Sequence, residues 1–113
     1  MAKIDKVRDK IMKLAAKQKI DAVLKFADDS EDDVRVAVAE ALAYIPTYES
    51  GMALIPFLRD VSPSVRAAAA TSAATINAKH CEEYVKKLAF ADADPYVREV
   101  AKRAFDVLKT SVM

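Results

Sequence analysis

Few residues in this chain are of types that do chemistry, and their spacing limits what each can do. His80 and Cys81 are the only histidine and the only cysteine. Side by side they suggest thiolate or metal chemistry, but neighbours on a helix project about 100° apart and do not face each other. No second His and no Cys-x-x-Cys completes a zinc set, so the pair reads as a helix start with a half-buried thiol. Asp28, Asp29, Glu31, Asp32 and Asp33 form a carboxylate run. The run lacks the central Gly and closing Glu of a calcium loop, and carboxylates at a helix N-terminus are favoured by the dipole. Lys3, Lys6, Lys10, Lys13 and Lys17 recur at steps of three and four, a lysine-rich helix face that reads first as a solvated surface and otherwise as one to meet nucleic acid or an acidic partner. With no Trp and no interleaved aromatics it is not the surface of a nucleic-acid reader, and nucleic acid is not expected as a partner. One glycine in 113 residues excludes Gly-rich phosphate loops and dinucleotide fingerprints. No catalytic residue, cofactor or metal is expected.

The regular spacing lies elsewhere. An Asp, four residues and a Val-Arg pair recur as Asp29–Val34–Arg35, Asp60–Val65–Arg66 and Asp92–Val97–Arg98, with the valines 31 and 32 residues apart. A fixed period in this range marks a repeat architecture. A second set of columns aligns at a shift of 31: Val23, Leu54 and Val85; Phe26, Phe57 and Leu88; Ala27, Leu58 and Ala89. Each frame is therefore one unit of two helices, and one unit alone cannot bury its flanks, so neighbours must stack.

The elements follow from apolar periodicity and capping. Residues 4–17 form a leading helix on the stripe Ile4, Val7, Ile11, Leu14 and Ala15; they carry a Val7-Arg8 pair without the Asp, as a degenerate first unit. Residues 19–45, 48–76 and 79–109 are three helical pairs, making about seven helices in a single all-α domain over 1–113. The second helix of each pair has a core stripe: Val34, Val38, Ala41, Leu42 and Ile45; Val65, Ala69, Ser72, Ala73 and Ile76; Val97, Ala101, Ala104, Phe105 and Leu108. Among the first helices, 79–90 is placed on Tyr84, Val85, Leu88 and Ala89. Pro46 ends one helix, and Pro56 should kink another or hold it to a loose first turn. Ser62-Pro63 and Asp94-Pro95 each read as an N-cap followed by Pro at the first helical position.

Composition agrees. The chain is 53% hydrophobic and 31% charged, which fits neither a disordered nor a membrane-spanning protein. Its net charge of +1 divides unevenly, +5 over residues 1–27, −6 over 28–60 and +2 over 61–113. The charged start has no apolar segment behind it, so no secretory signal is expected. A lone cysteine cannot form an internal disulfide, and a cytoplasmic location is expected.

The D-x4-VR frame, the alanine-rich helix after it and the preceding ΦΦ-x-ΦL helix resemble HEAT repeats, specifically the short HEAT-like repeats of phycobilin-lyase-type proteins. The likeness covers residues 19–109 well and 4–17 loosely. It departs where Ala43, Ala74 and Asp106 stand at positions often held by Gly. The resemblance implies a right-handed α-α superhelix whose Val-Arg helices line the concave side, and a scaffold that binds a protein or peptide without catalysis. Its alternative implication is an accessory subunit or lyase-like factor with a role for His80 and Cys81.

On such a fold the concave positions lie two, six and ten residues past each frame Val. The expected partner-binding residues are Val36, Glu40, Tyr44, Thr71, Thr75, Glu99 and Arg103, with Ala67 and Val107 beside them and Tyr44 as anchor. Asp29, Arg35, Asp60, Arg66, Asp92 and Arg98 form a structural ladder, each Arg reaching its own turn Asp or that of an adjacent repeat. As exposed pairs these contribute about 0–1 kcal/mol each and serve register. Val97, Val100, Ala101, Ala104, Phe105, Val107 and Leu108 cover a wide arc of the last helix, so that helix is expected to pair with a second subunit, as a homodimer, or with a partner.

Overall fold

The computed structural model describes residues 3–111. Among them are seven α-helices and no strand: α1 (Lys3–Ala16), α2 (Ile20–Leu24), α3 (Asp32–Ala41), α4 (Tyr48–Leu58), α5 (Pro63–Thr75), α6 (Glu82–Ala91) and α7 (Pro95–Thr110). Single 3-10 turns, Leu42–Tyr44 and Lys79–Cys81, extend α3 and lead into α6. No helix among the described residues is long and apolar enough to cross a membrane.

The helices stack in two layers. α1 packs on α3, α3 on α5 and α5 on α7, while α4 and α6 each pair with the helix that follows them and the short α2 touches both α1 and α3. The result is an α-solenoid of three hairpins, α2–α3, α4–α5 and α6–α7. The first helix, α1, lies against α3 in the arginine layer and also touches α2. Its Val7-Arg8 pair is the cause: these residues share the register of Val34-Arg35, and the register decides which layer a helix joins.

Alanine makes the close packing within the arginine layer. Ala37, Ala39, Ala41, Ala69, Ala70, Ala73 and Ala101 are all fully buried between neighbouring helices. A methyl side chain lets helix axes approach while keeping propensity high. Ser72 uses that closeness, donating its hydroxyl to the Ala39 carbonyl at 2.7 Å across two helices. Larger side chains fill the space between layers: Leu42, Leu54, Leu58, Val85 and Leu108 are essentially inaccessible. Each contributes about 1.5–3 kcal/mol relative to exposure. Ile76 and Phe105, expected in the core, are only partly buried, and Tyr84 is exposed.

Helix ends follow local chemistry. Thr47 caps α4 by accepting the Ser50 N–H at 3.1 Å, and Asp94 caps α7 by accepting from Tyr96 and Val97. Ser62 has the backbone conformation of a cap on α5 but not the side-chain bond. Its hydroxyl donates instead to Asp32 Oδ2 at 3.1 Å, tying the turn to the preceding hairpin. α2 is a turn and a half long, closed by a series of turns through Asp29. Pro56 falls in the last turn of α4, where Arg59 and Asp60 close the end by bonding to Pro56 and Phe57 carbonyls. Two helix ends close through a non-glycine residue in left-handed conformation, Gln18 and Asn77, φ 60° and 51°. Lys19 N–H then reaches the Leu14 carbonyl and Ala78 N–H that of Ala73, the six-to-one bond that closes a helix through a left-handed residue.

Candidate protein-interaction surface

The ladder residues converge on one rim. Arg35 donates through Nε and Nη2 to Asp60 Oδ2 and Oδ1 at 2.9 and 3.0 Å, and Arg66 does the same to Asp92 at 2.8 and 2.9 Å. The carboxylate in each rung thus comes from the following hairpin. The arginine's own turn supplies backbone carbonyls: Nη1 of Arg35, Arg66 and Arg98 donates to Asp29, Asp60 and Asp92 carbonyls at 2.9, 2.8 and 2.6 Å. The aspartates are held as well. Oδ1 of Asp29, Asp60 and Asp92 accepts the N–H two residues on, at 2.9 Å each time.

These rungs are not the exposed pairs expected from the sequence. Side-chain exposure is 15% and 12% in the first rung, 16% and 4% in the second. Burial pushes the Asp60 and Asp92 carboxyls up, but the arginine bonds, the N–H of Ser62 or Asp94 and the nearby guanidinium charges outweigh it. Both carboxyls lie below the ordinary aspartate value. The bonds to Asp60 and Asp92 in turn raise the Arg35 and Arg66 guanidinium pKa values. Arg8 of α1 does not join the ladder; it pairs with Glu40 at 2.6 Å, so Asp29 has no arginine on its carboxylate among the described residues.

The expected concave positions form most of two adjoining grooves on the outer side of the arginine layer. Val36, Glu40, Tyr44, Thr71 and Thr75 line a groove of about 590 Å³ between α3 and α5, together with Arg8, Ala67 and Tyr96. Thr71, Thr75 and Arg103 line a second, of about 540 Å³, between α5 and α7, with Val100 and Val107. Thr71, Thr75 and Tyr96 belong to both, so the two run together. Glu99 lines neither groove; it is exposed and pairs with Arg103. Tyr44 and Tyr96 stand at the edge, 63% and 65% exposed. The sequence reading missed Tyr96, although it sits beside the Asp94-Pro95 cap at the head of α7. Val100 and Val107, read as part of an open apolar end, face this groove.

The remaining candidates separate. Cys81 is fully buried, burial pushes its thiol up to about 11, and Sγ donates to the Gly51 carbonyl at 3.2 Å. A thiol held protonated is a poor nucleophile. The His80 ring lies against Tyr48, centroids 4.5 Å apart, and over Gly51, where a Cβ would stand 2.4 Å from Nε2. The chain's only glycine is thus the floor under a histidine ring. Among the described residues no three His, Cys, Asp or Glu side chains are grouped to hold a metal ion; within the acidic run the Asp29 carboxylate accepts the Glu31 N–H and that of Asp32 accepts from the Ser62 hydroxyl.

Stacked helical hairpins joined turn to turn by arginine–carboxylate rungs define an α-solenoid repeat protein. The sequence profile of the family described as HEAT repeats matches residues 20–106. The chain belongs to that family, and the matched span is the three hairpins without α1. No curated protein matches the chain.

Proposed function

We propose that this protein is a non-enzymatic scaffold that binds a peptide or protein segment in the continuous groove across α3, α5 and α7. The observation that carries the reading is the groove itself. Its floor is alanine and threonine, its edge bears two exposed tyrosines, and the charges at its two ends, Arg8–Glu40 and Arg103–Glu99, are already paired. Small floor residues leave room for a partner's side chains, and tyrosine supplies large contact area at low entropic cost. Paired end charges favour a segment whose central residues are uncharged.

Panning a displayed peptide library against the wild-type protein, with Thr71→Arg as counter-target, tests this. Thr71 is exposed, so an arginine there fills the groove without touching the core. Selected peptides should lose at least about tenfold in affinity to Thr71→Arg and to Tyr44→Ala, about 1.4 kcal/mol. Binders indifferent to both substitutions would place recognition elsewhere.

A further inference from the structure

The ladder ends in an unfilled position. The bond from Nη1 to its own turn fixes each arginine so that its Nε–Nη2 edge faces the next hairpin. Asp60 fills that edge for Arg35 and Asp92 for Arg66. Among the described residues, nothing fills it for Arg98.

Register supplies the rest of this face. Ser72, seven residues past its frame Val, bonds Ala39, five past the preceding one, so position five faces the following hairpin. Positions one, five, eight and twelve share one side of a helix. In α3 and α5 the fifth and eighth are Ala39, Leu42, Ala70 and Ala73, all fully buried. In α7 the same series reads Arg98, Lys102, Phe105 and Lys109. Lys102 and Lys109 are exposed, and Lys109 Nζ lies 5.5 Å from the Phe105 ring centroid. Phe90 stands edge-on to Phe105 at 6.2 Å and is 66% exposed. On α6, Lys86 is exposed where the columns hold Leu24 and Ile55 in the earlier hairpins. A lysine stands in the alanine column here, so this face differs from those by which α3 and α5 meet the next hairpin. What the face offers is three lysines, of which Lys109 is paired with Asp106 at 3.2 Å, two phenyl rings and the open guanidinium edge of Arg98.

We propose that this end face docks an acidic polypeptide segment of a partner, one of whose carboxylates enters the Nε–Nη2 edge of Arg98 as Asp60 and Asp92 enter those of Arg35 and Arg66. Charge complementarity selects an acidic occupant. The bidentate fork matches a carboxylate, which the chain already holds twice in this geometry. A second copy stacked end to end is disfavoured, because the opposite end, α1, shows exposed Lys3, Lys6, Lys10, Lys13 and Lys17, and lysine would meet lysine. Single-stranded nucleic acid stacks its bases on successive open rings; here Phe90 is open, but Phe105 is only partly exposed and has Lys109 over it.

The probe is the capped hexapeptide Ala-Asp-Ala-Asp-Pro-Tyr, the sequence of residues 91–96, titrated while the Arg98 Nε–H signal is followed by NMR. Binding should be saturable, weakened by salt and absent for the Ala-Asn-Ala-Asn-Pro-Tyr analogue. Arg98→Lys, which keeps the charge and loses the fork, should weaken it about fivefold or more. The pair Lys102→Glu and Lys109→Glu, on exposed sites that leave the turn intact, should abolish it, with circular dichroism confirming the fold. Thr71→Arg should leave it unchanged, since the groove is a separate surface. Four results would overturn the proposal: no saturable shift, equal binding of the Asn peptide, tighter binding of an oligothymidylate, or self-association of the wild type that Lys102→Glu with Lys109→Glu removes.

Discussion

The second rung offers the sharpest test of how this stack is held. Asp92 accepts three bonds, two from Arg66 and one from the Asp94 N–H, with only 4% of its side chain exposed. Asp92→Ala removes all three and leaves the Nε–Nη2 edge of Arg66 without a carboxylate. A fully buried pair loses about 3–5 kcal/mol when one partner goes, and a surface pair about 0–1. Arg66 keeps two carbonyl bonds through Nη1 and is 16% exposed, so water relieves part of the penalty. The expected loss is therefore about 2–3 kcal/mol. A double-mutant cycle with Arg66→Leu isolates the pair, and the coupling should be about 1.5–3 kcal/mol. Urea unfolding measures it, provided fluorescence and circular dichroism transitions coincide, since a linear stack can lose cooperativity. A coupling below about 0.5 kcal/mol would return the rung to the status of a surface ion pair and refute its part in holding the hairpins together.

Acid should undo the same rungs. The Asp60 and Asp92 carboxyls are lower in the folded than in the unfolded chain, so their contribution is complete above about pH 4 and drains as pH falls through the folded values; calorimetry should show the melting temperature dropping more steeply there for the wild type than for Asp60→Asn with Asp92→Asn. Gly51→Ala should destabilise by about 1–2 kcal/mol, because its Cβ would meet His80 Nε2 at 2.4 Å and Ala78 Cβ at 3.1 Å. In a His80→Ala background the same change should gain up to about 1 kcal/mol from helix propensity, reversing sign in chemical denaturation. Cys81, buried and with its thiol raised to about 11, should resist a disulfide reagent at neutral pH until the chain is unfolded in denaturant; fast labelling of the native protein would contradict its placement.

Much of the architecture is legible in the periodicity, because Asp29, Asp60 and Asp92 with their Val-Arg pairs mark every turn of the stack. The partner of each arginine is not legible. Own-turn and next-turn aspartates are equally near in sequence logic, and only the helix-to-helix offset sends the Arg35 fork across to Asp60 while Nη1 stays at Asp29. The packing of α1 against α3 is not legible either, because its Val7-Arg8 pair comes without the Asp. On the last helix Val100 and Val107 face the groove, whereas Lys102 and Lys109 are exposed on another side of it. That distinction needs the Ser72–Ala39 bond, which fixes which side of each helix meets which neighbour. Gly51 could not be explained from the sequence, since the ring it makes room for comes from His80, 29 residues on.

α1 fully buries only Ile11 and Ala15 and meets chiefly α3, with the turn that extends it, and the short α2. In a linear stack each unit is steadied only by its neighbours. The seam between α1 and α3 is accordingly the place where the molecule opens first, peeling a cationic strip away while the rest stays closed. Amide exchange will map that opening as a gradient, fastest in α1 and slowest where α5 lies sandwiched between two helices of its own layer.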